Sequence, residues 1–187
     1  MTKPRDTVVL VAEDGSAVGE SSKLAAHEAP GHLHLAFSVV LYRPDGRTLL
    51  QRRALSKYHF PGAWGNACCS HPLPGDDLVA SAQSRVKEEL GIDCVLEDVG
   101  SLIYRATCEQ SGLAEYEFDH VLIGETDAAP SPDPAEVAEI RWDDPRTVLD
   151  APPDPTAPWL IPVIRLAEHH RGERTETKGN RTPAGLS

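Results

Sequence analysis

The feature that most constrains the fold of this chain is a series of short runs rich in aliphatic, β-branched and aromatic residues. Gly, Pro and Asp residues between the runs favour turns, so the runs are typical of strands in a sheet. The clearest turn signal is Pro44-Asp45-Gly46, which separates two such runs. The predicted strands cover residues 8–12, 33–42, 48–52, 92–96, 99–106, 115–123 and 137–142.

Two segments are predicted as helices. Asp76-Asp77 offers an N-cap before apolar residues that recur at helical spacing, and Gly91 is a suitable C-cap. A second helix is predicted over residues 158–168, with Pro162 in its first turns. Residues 60–75 are rich in Gly, Pro and Cys and predict an irregular loop. Strands mixed with two helices favour an α/β sandwich whose sheet is mixed and largely antiparallel.

The length of the chain suits a single domain. Its 187 residues are enough for one sizeable hydrophobic core. We expect this domain to span residues 7–168, after a flexible N-terminus at residues 1–6. Residues 169–187 are polar and include Gly, Pro and Thr, so they predict a mobile C-terminal tail.

Charge and apolar patterning argue against several classes of function. The formal net charge of -11 at pH 7 opposes binding to nucleic acid, because phosphates repel an acidic surface. No segment approaches the roughly 18 apolar residues of a membrane span, and the first apolar run is too short for a signal peptide. We expect a cytoplasmic protein that acts as a monomer, without nucleic-acid or membrane partners. A small phosphorylated ligand is compatible with the charge, because divalent cations bridge acidic side chains to phosphate oxygens.

The four cysteines, Cys68, Cys69, Cys94 and Cys108, contain no CxxC pair. In a reducing compartment a disulfide framework is disfavoured, and a buried free thiol is the ordinary interpretation of each. Cys69 lies two residues before His71, and a metal or imidazolium nearby would lower the pKa of that thiol. The same spacing suits half of a zinc site, but no second Cys pair completes it.

Histidines and carboxylates at alternate positions of two predicted strands suggest a metal site. His32 and His34 face the same side of one strand, because side chains alternate along a strand. Glu115 and Glu117 repeat this spacing on another strand. Each pair alone is ordinarily a solvated face or a set of satisfied core residues. Imidazoles combined with carboxylates suit Mn²⁺, Mg²⁺ or Zn²⁺. Further candidate histidines are His27 and His71.

The predicted helix ends in the segment Ser84-Arg85-Val86-Lys87-Glu88-Glu89-Leu90-Gly91-Ile92. Its two adjacent acids ahead of Gly resemble the end of the Nudix box, whose helix carries metal-binding carboxylates for diphosphate ligands. The resemblance is incomplete, because Ser84 and Arg85 stand where the box has Arg and Glu. Upstream, Ser70 replaces the leading Gly and Asp76 replaces a Glu. A hydrolase that needs several carboxylates to hold metals has therefore lost part of its set.

Several separated motifs, taken in order, resemble the type I isopentenyl-diphosphate delta-isomerase family. They are Ala25-Ala26-His27, Leu33-His34-Leu35-Ala36-Phe37-Ser38, Arg52-Arg53-Ala54-Leu55-Ser56-Lys57, Pro61-Gly62-Ala63-Trp64, Cys69-Ser70-His71-Pro72, Glu89-Leu90-Gly91, Tyr104-Arg105-Ala106, Glu115-Tyr116-Glu117 and Pro158-Trp159. The resemblance spans residues 8–166. It implies a Nudix-like α/β/α sandwich that converts isopentenyl diphosphate, a small prenyl diphosphate, to dimethylallyl diphosphate in isoprenoid precursor biosynthesis.

The resemblance also implies a role for each matching residue. The metal-contacting residues at a site for Mn²⁺, Mg²⁺ or Zn²⁺ would be His27, His34, His71, Glu115, Glu117 and Cys69. A second metal, Mg²⁺ on the diphosphate, would involve Glu89. Cys69 and Glu117 would transfer protons on opposite faces of the substrate, and Tyr104 would support Glu117. The substrate-binding residues would be Lys23, Arg53, Lys57, Arg85 and Trp159.

The sequence alone does not decide the effect of one departure from the family motifs, and it leaves two alternative functions open. The family usually has Cys-Gly-His-Pro where this chain has Ser70, which resists some backbone conformations that Gly adopts. Cys68 is an alternative catalytic thiol, although the spacing to His71 favours Cys69. His32 has no counterpart in the motif and is not expected to be a ligand. The alternative functions are hydrolysis of a nucleoside diphosphate derivative and non-catalytic binding of a metal or diphosphate.

Overall fold

The computed structural model of the protein describes residues 6–179, with side chains up to residue 174, and contains one mixed sheet flanked by helices. The strands are β1 (Thr7–Val11), β2 (Ala17–Ser22), β3 (His34–Tyr42), β4 (Thr48–Arg53), β5 (Trp64–Asn66), β6 (Cys68–Ser70), β7 (Glu97–Thr107), β8 (Ala114–Glu125) and β9 (Val137–Asp143). The helices are α1 (Lys23–His27), α2 (Leu78–Leu90), α3 (Pro145–Asp150) and α4 (Leu160–Gly179).

Strand β3 lies at the centre of the sheet and pairs with strands from distant parts of the chain. Its pairing with β8 is parallel and runs from His34 opposite Glu117 to Tyr42 opposite Glu125. Strands β1 and β6 pair with β3 in the antiparallel direction, as do β5 and β9 with β4. A parallel pair among antiparallel neighbours confirms the predicted mixed, largely antiparallel sheet.

The alternation of side chains along β3 divides the hydrophobic core between two faces of the sheet. One buried cluster joins β3 to α2 and includes Phe37, Val39 and Val86. The other cluster joins β3 to α4 and includes Val40 and Ile164. Because apolar surface is removed from water on both faces, the sheet is stable only as the middle layer of three. The structure therefore confirms the predicted α/β/α sandwich.

Two predicted segments between the confirmed elements were assigned wrongly. Residues 92–96 do not form a strand, because this connection from α2 to β7 buries Ile92 and Leu96 in the α2 cluster without extended pairing in the described part of the chain. Residues 60–75, predicted as an irregular loop, contain β5 and β6. Their partners are β4 and β3, and such long-range pairing is not visible in the local sequence.

The last helix is longer than the predicted one. Helix α4 ends at Gly179 rather than at residue 168, so the beginning of the predicted mobile tail is helical. Residues 169–179 contain no Pro, and the charged side chains among residues 169–174 are compatible with the solvated side of a helix. The predicted flexible residues 1–5 and the end of the tail, residues 180–187, lie outside the described residues. No helix within residues 6–179 combines the length and apolar content needed to cross a bilayer.

The N-cap of α2 generates a prediction about stability. Asp77 accepts a hydrogen bond of 2.8 Å from the Ala80 backbone N–H. Asp77→Ala should lower the free energy of unfolding by about 1 kcal/mol, because this N–H at the start of the helix loses its partner. Urea unfolding measures the change, with Asp76→Ala as the matched control. Equal losses in the two variants would contradict the assignment of Asp77 as the cap.

Candidate active site

The register of three neighbouring strands places Tyr104, Glu117 and His34 in one row across the sheet. Tyr104 of β7 lies opposite Glu117 of β8, which in turn lies opposite His34 of β3. The Tyr104 hydroxyl donates a hydrogen bond of 2.5 Å to Glu117 Oε2, and His34 Nε2 lies 3.6 Å from Glu117 Oε1. His34 and Glu117 are both buried. The strand pairing alone thus assembles a buried polar cluster.

His27 and His71 approach this row from other elements. Helix α1 ends on His27, whose ring centroid lies 4.6 Å from that of His34. His71 directly follows β6, and its Nε2 lies 3.1 Å from His34 Nε2 and 2.9 Å from Glu117 Oε1. The ligand atoms of these two histidines, His34 and Glu117 all lie within 4.8 Å of one another. Four of the predicted metal ligands therefore converge.

Glu115 lies in a second group of potential ligands that overlaps with the first. It precedes Glu117 by two positions on β8, and its Oε2 lies 3.1 Å from His27 Nε2. Its other oxygen, Oε1, lies 2.6 Å from His59 Nδ1. His27, His59 and Glu115 offer ligand atoms that again lie within 4.8 Å of one another. Glu115 is therefore next to the predicted ligands, but it is shared with a histidine that was not predicted.

Backbone carbonyls determine which ring nitrogen is free in two of the histidines. His27 Nδ1 lies 2.6 Å from the Lys23 carbonyl oxygen, and His34 Nδ1 lies 2.7 Å from that of His32. Because a carbonyl oxygen only accepts hydrogen bonds, both Nδ1 atoms carry a proton and both Nε2 atoms keep a lone pair. This arrangement is typical of histidines that bind metals. His32 contributes its carbonyl and not its ring to the site.

Burial and hydrogen bonding set the charge at this centre. Burial raises the pKa of the Glu117 carboxyl, but the neighbouring imidazoles of His34 and His71 outweigh burial and hold that pKa well below its usual range. Burial lowers the pKa of His71 to about 4, so its ring is neutral at pH 7. Glu115 Oε2 is buried without a hydrogen-bond partner. Ionised carboxylates and neutral imidazoles at these distances fit a divalent cation.

Cys69 presents a protonated thiol to the cavity that also contains Glu117. Its Sγ donates a hydrogen bond of 3.0 Å to Asn66 Oδ1 and lies 3.4 Å from Ser38 Oγ. Burial raises the pKa of this thiol far above its usual value. Within the described residues, neither group of candidate metal ligands includes Cys69, in contrast to its predicted metal contact. The thiol donates to Asn66 instead, and the cavity therefore contains both a proton donor and a proton acceptor.

Cys68 and Cys69 lie on opposite sides of β6. Cys68 is fully buried in the α2 cluster and does not line the cavity, within the residues that the structure describes. The thiol at the cavity is therefore that of Cys69, as the spacing to His71 predicts. Ser70 lies in extended backbone, and Phe60 is the non-glycine residue with a positive φ in the described range. Ser70 thus fits this position without the left-handed conformation that favours Gly.

Three of the predicted phosphate-binding cations line the same cavity: Lys23, Arg53 and Lys57. Lys57 forms an ion pair with Glu136, and the Arg53 guanidinium lies 5.5 Å from the ring centroid of Trp159. Trp159, also predicted, is buried against the cavity, and its Nε1 has no hydrogen-bond partner. Cations beside a metal centre make this cavity suitable for an anionic ligand.

Arg85 and Glu89 are separate from the other predicted site residues. They lie one turn apart on α2, form an ion pair with each other, and do not line the cavity in the described part of the chain. Arg85 also bonds Glu88 at 2.7 Å and lies 3.6 Å from Glu136. Because Glu136 also pairs with Lys57, a chain of charges connects α2 to the edge of the cavity.

Sequence reasoning missed three features of the site: His59, Asn66 and the contact between Ser38 and Asp119. Ser38 Oγ donates a hydrogen bond of 2.8 Å to Asp119 Oδ2 beside the thiol. Asp119 continues the alternation of Glu115 and Glu117, so strand periodicity was a signal that could have found it. His59 lies in a loop and carries no periodic signal. The importance of Asn66 depends on the pairing of β5, which the sequence did not predict.

Comparison with known proteins agrees with this fold. A family model described as NUDIX domain matches residues 32–167. The crystal structure of DR0079 from Deinococcus radiodurans superimposes with a TM-score of 0.69 at 20% identity, covering 85% of this chain and 97% of that chain. The MutT protein of Methanosarcina mazei Go1 gives 0.61 at 20% identity, covering 76% and 95%. The two structural similarities concern the fold alone. The family match shows that the chain is a NUDIX-domain protein.

Relatives in sequence narrow the assignment within this class. The isopentenyl-diphosphate Delta-isomerase of Nocardia farcinica is 49% identical over 164 residues, covering 86% of this chain and 94% of the relative. The protein of that name in Halorhodospira halophila is 44% identical over 162 residues, covering 84% and 93%. The chain belongs to the isopentenyl-diphosphate Delta-isomerase family, as its motifs predict.

The converging ligands generate a prediction about metal binding. Mn²⁺ should raise the Tm of the protein relative to EDTA, because a ligand that binds only the folded state stabilises it by about 2.7 kcal/mol at 100 times its Kd. His34→Ala should remove most of this rise, since it deletes a buried ligand. Thermal unfolding with and without Mn²⁺ measures the effect. His32→Ala is the matched control, and loss of the rise in both variants or in neither would contradict the ligand set.

Proposed function

We propose that the protein converts isopentenyl diphosphate to dimethylallyl diphosphate. The observation that carries the proposal is the presence of Cys69 and Glu117 at one cavity, with pKa values that favour a protonated thiol and an ionised carboxylate at pH 7. Membership of the family and relatives of that name at 44–52% identity support the substrate. The reaction belongs to isoprenoid precursor biosynthesis.

The reaction adds one proton to the substrate and removes another. The Cys69 thiol donates its proton to the terminal alkene carbon, which leaves a thiolate and a tertiary carbocation. The Glu117 carboxylate then takes a proton from the carbon on the other side of the cation, so the double bond moves and the diphosphate stays intact. Positioning of the two groups supplies much of the rate. Return of the proton from the Glu117 carboxyl to the Cys69 thiolate completes the cycle.

The carbocation requires protection from water, and aromatic side chains provide it. The rings of Phe60 and Tyr104 lie 5.5 Å and 6.1 Å from that of Trp159, measured between centroids. The π-face of Trp159 stabilises positive charge, and closure of the site around the substrate would keep water from capturing the intermediate. The Tyr104 hydroxyl also holds the Glu117 carboxylate through its hydrogen bond.

Two metal ions complete the proposal. We assign Mn²⁺, Mg²⁺ or Zn²⁺ to the centre formed by His27, His34, His71, Glu115 and Glu117, and Mg²⁺ to the diphosphate with Glu89. When bound, these cations supply positive charge that tunes the proton affinity of Glu117 and neutralises the diphosphate oxygens. Glu89 is now paired with Arg85, so it becomes a ligand only when the guanidinium leaves it. Arg85 would also have to leave Glu88 and Glu136 to join the other cations on the diphosphate.

The diphosphate is bound by the cations that line the cavity. Lys23, Arg53 and Lys57 offer N–H donors to its oxygens, and Arg53 provides the planar fork that suits phosphate. Binding energy from the diphosphate is remote from the reacting carbons and holds them between donor and acceptor. We also propose that the active species is a monomer.

We assign the reaction to a reducing compartment, the cytoplasm. The four cysteines are free, and the proposed chemistry requires the Cys69 thiol in its reduced form. A disulfide or an oxidised sulfur at this position has no proton to donate to the alkene.

Nucleotide hydrolysis is the second candidate function, because the chain has a NUDIX domain. It is disfavoured by the helix that carries the box, where Ser84 and Arg85 replace Arg and Glu. Arg85 also pairs with Glu88 and Glu89, so the residue that replaces a Glu of the box competes with a cation for the acidic pair. Metal or diphosphate binding without catalysis is disfavoured by the proton donor and acceptor at one cavity.

The proton-transfer assignment predicts the effect of three substitutions. Cys69→Ala and Glu117→Gln should each lower kcat at least 10²–10⁴-fold, roughly the contribution of a positioned acid or base. Cys68→Ala, the matched control, should keep its turnover because Cys68 lies outside the cavity. Conversion of isopentenyl diphosphate is followed by product analysis, and circular dichroism checks folding. Turnover by folded Cys69→Ala would contradict the mechanism.

The two candidate functions predict different products. With Mg²⁺ and isopentenyl diphosphate, the protein should form dimethylallyl diphosphate without releasing phosphate. With nucleoside diphosphate derivatives it should leave the pyrophosphate bond intact, because Arg85 stands where the box has a Glu and the set of metal-binding carboxylates is incomplete. Chromatography of both mixtures and a phosphate assay provide the measurement. Cleavage of the nucleotide with no change in the prenyl diphosphate would reverse the assignment.

A further inference from the structure

His59 is a buried residue of the cavity that the family motifs leave without a role. It lies in the loop between β4 and β5 and is 5% exposed. Its Nδ1 lies 2.6 Å from Glu115 Oε1, while its Nε2 is buried without a hydrogen-bond partner. A buried polar atom without a partner is costly, so the burial of this ring beside the proposed metal ligands points to a role there.

Backbone contacts of His59 and of the next residue hold the His59 side chain in place. Arg53 Nε donates a hydrogen bond of 3.1 Å to the His59 carbonyl oxygen. The next residue, Phe60, has a φ of 45°, an uncommon conformation for a bulky side chain, and its N–H donates to Cys108 Sγ at 3.4 Å. Backbone strain of this kind persists only where surrounding contacts enforce it. The position of the His59 ring is therefore well defined.

Glu115 lies between two imidazoles that bind its two oxygens differently. Oε1 faces His59 Nδ1 at 2.6 Å, and Oε2 faces His27 Nε2 at 3.1 Å. The rings of His27 and His59 meet edge to face, with centroids 4.5 Å apart. Since His27 Nε2 carries a lone pair that can bind a metal, Oε2 is the carboxylate oxygen directed toward the proposed centre. His59 occupies the other oxygen and so fixes the rotation of the carboxylate.

We propose that His59 is a positioning residue of the metal centre, which donates from Nδ1 to Glu115 Oε1 and thereby directs Oε2 toward the cation. This inference rests on the metal centre assigned under the proposed function. Partners of this kind, which contact a ligand rather than the metal, typically change metal affinity by roughly 10–100-fold when removed. The expected effect of His59 is therefore on metal affinity first and on turnover as a consequence.

The test measures Mn²⁺ affinity by titration of metal-free protein, with free Mn²⁺ followed by electron paramagnetic resonance. His59→Ala should weaken binding roughly 10–100-fold. Two variants of similar size keep the test valid if the Ala variant does not fold. His59→Asn places an amide N–H close to the position of Nδ1 and should recover most of the affinity, whereas His59→Gln should not. Equal affinities for the Asn and Gln variants would overturn the assignment.

A matched control removes a similar contact elsewhere. His120 Nδ1 lies 2.7 Å from Asp98 Oδ2 at a partly exposed position on β8, away from the cavity. His120→Ala should bind Mn²⁺ as tightly as the wild type. A loss in His120→Ala as large as that in His59→Ala would overturn the specific role of His59.

Pulsed electron paramagnetic resonance separates positioning from direct ligation. The number of imidazole nitrogens coupled to Mn²⁺ should be the same in the wild type and in His59→Ala loaded at high Mn²⁺. Loss of one coupled nitrogen would make His59 a ligand and overturn the positioning role. Unchanged affinity in His59→Ala would overturn this inference alone, whereas a wild-type protein that binds no Mn²⁺ would overturn the proposed metal centre as well.

Discussion

The parallel pairing of β3 with β8 brings His34 and Glu117 side by side, and the other site residues are placed relative to these two. Strand β7 adds Tyr104 through its pairing with β8, and β6 adds Cys69 through its pairing with β3. Apolar side chains on the same strands pack under α2 and α4 and hold this register. Because a shift by one residue would exchange the two faces of a strand, core packing and chemistry depend on the same alignment.

Burial of so many polar groups is tolerated because most of them bind one another. The Glu117 carboxylate contacts Tyr104, His71 and His34, and these contacts offset the cost of removing it from water. Three of the buried atoms left without a hydrogen-bond partner, His59 Nε2, Glu115 Oε2 and Trp159 Nε1, belong to residues that line the cavity. Part of the incomplete hydrogen bonding thus lies where we propose that a cation and a substrate bind. The surrounding core supplies the stability that these atoms do not.

Residues that share a strand face, or belong to an ordered motif, were predictable from the sequence. His34, Glu115 and Glu117 follow the two-residue period of strands, and α2 follows its cap signals at Asp77 and Gly91. What the sequence could not predict depends on distant contacts. His59 is placed by a loop that other segments hold, and the apolar run 92–96 is buried without becoming a strand. The four-residue spacing of Arg85 and Glu89 on a helix could have predicted that they pair. It could not have predicted that the two residues lie away from the cavity.

The opposite orientations of Cys68 and Cys69 make the length of the chain around β6 more critical than its composition. This strand has three residues, and its pairing with β3 decides which thiol faces the cavity. Substitution of a neighbouring side chain leaves this alternation intact. Insertion or deletion of a single residue between β5 and β6 would exchange the two thiols, moving the proton donor into the hydrophobic core. This segment is therefore constrained in the number of its residues as well as in the side chains that form the site.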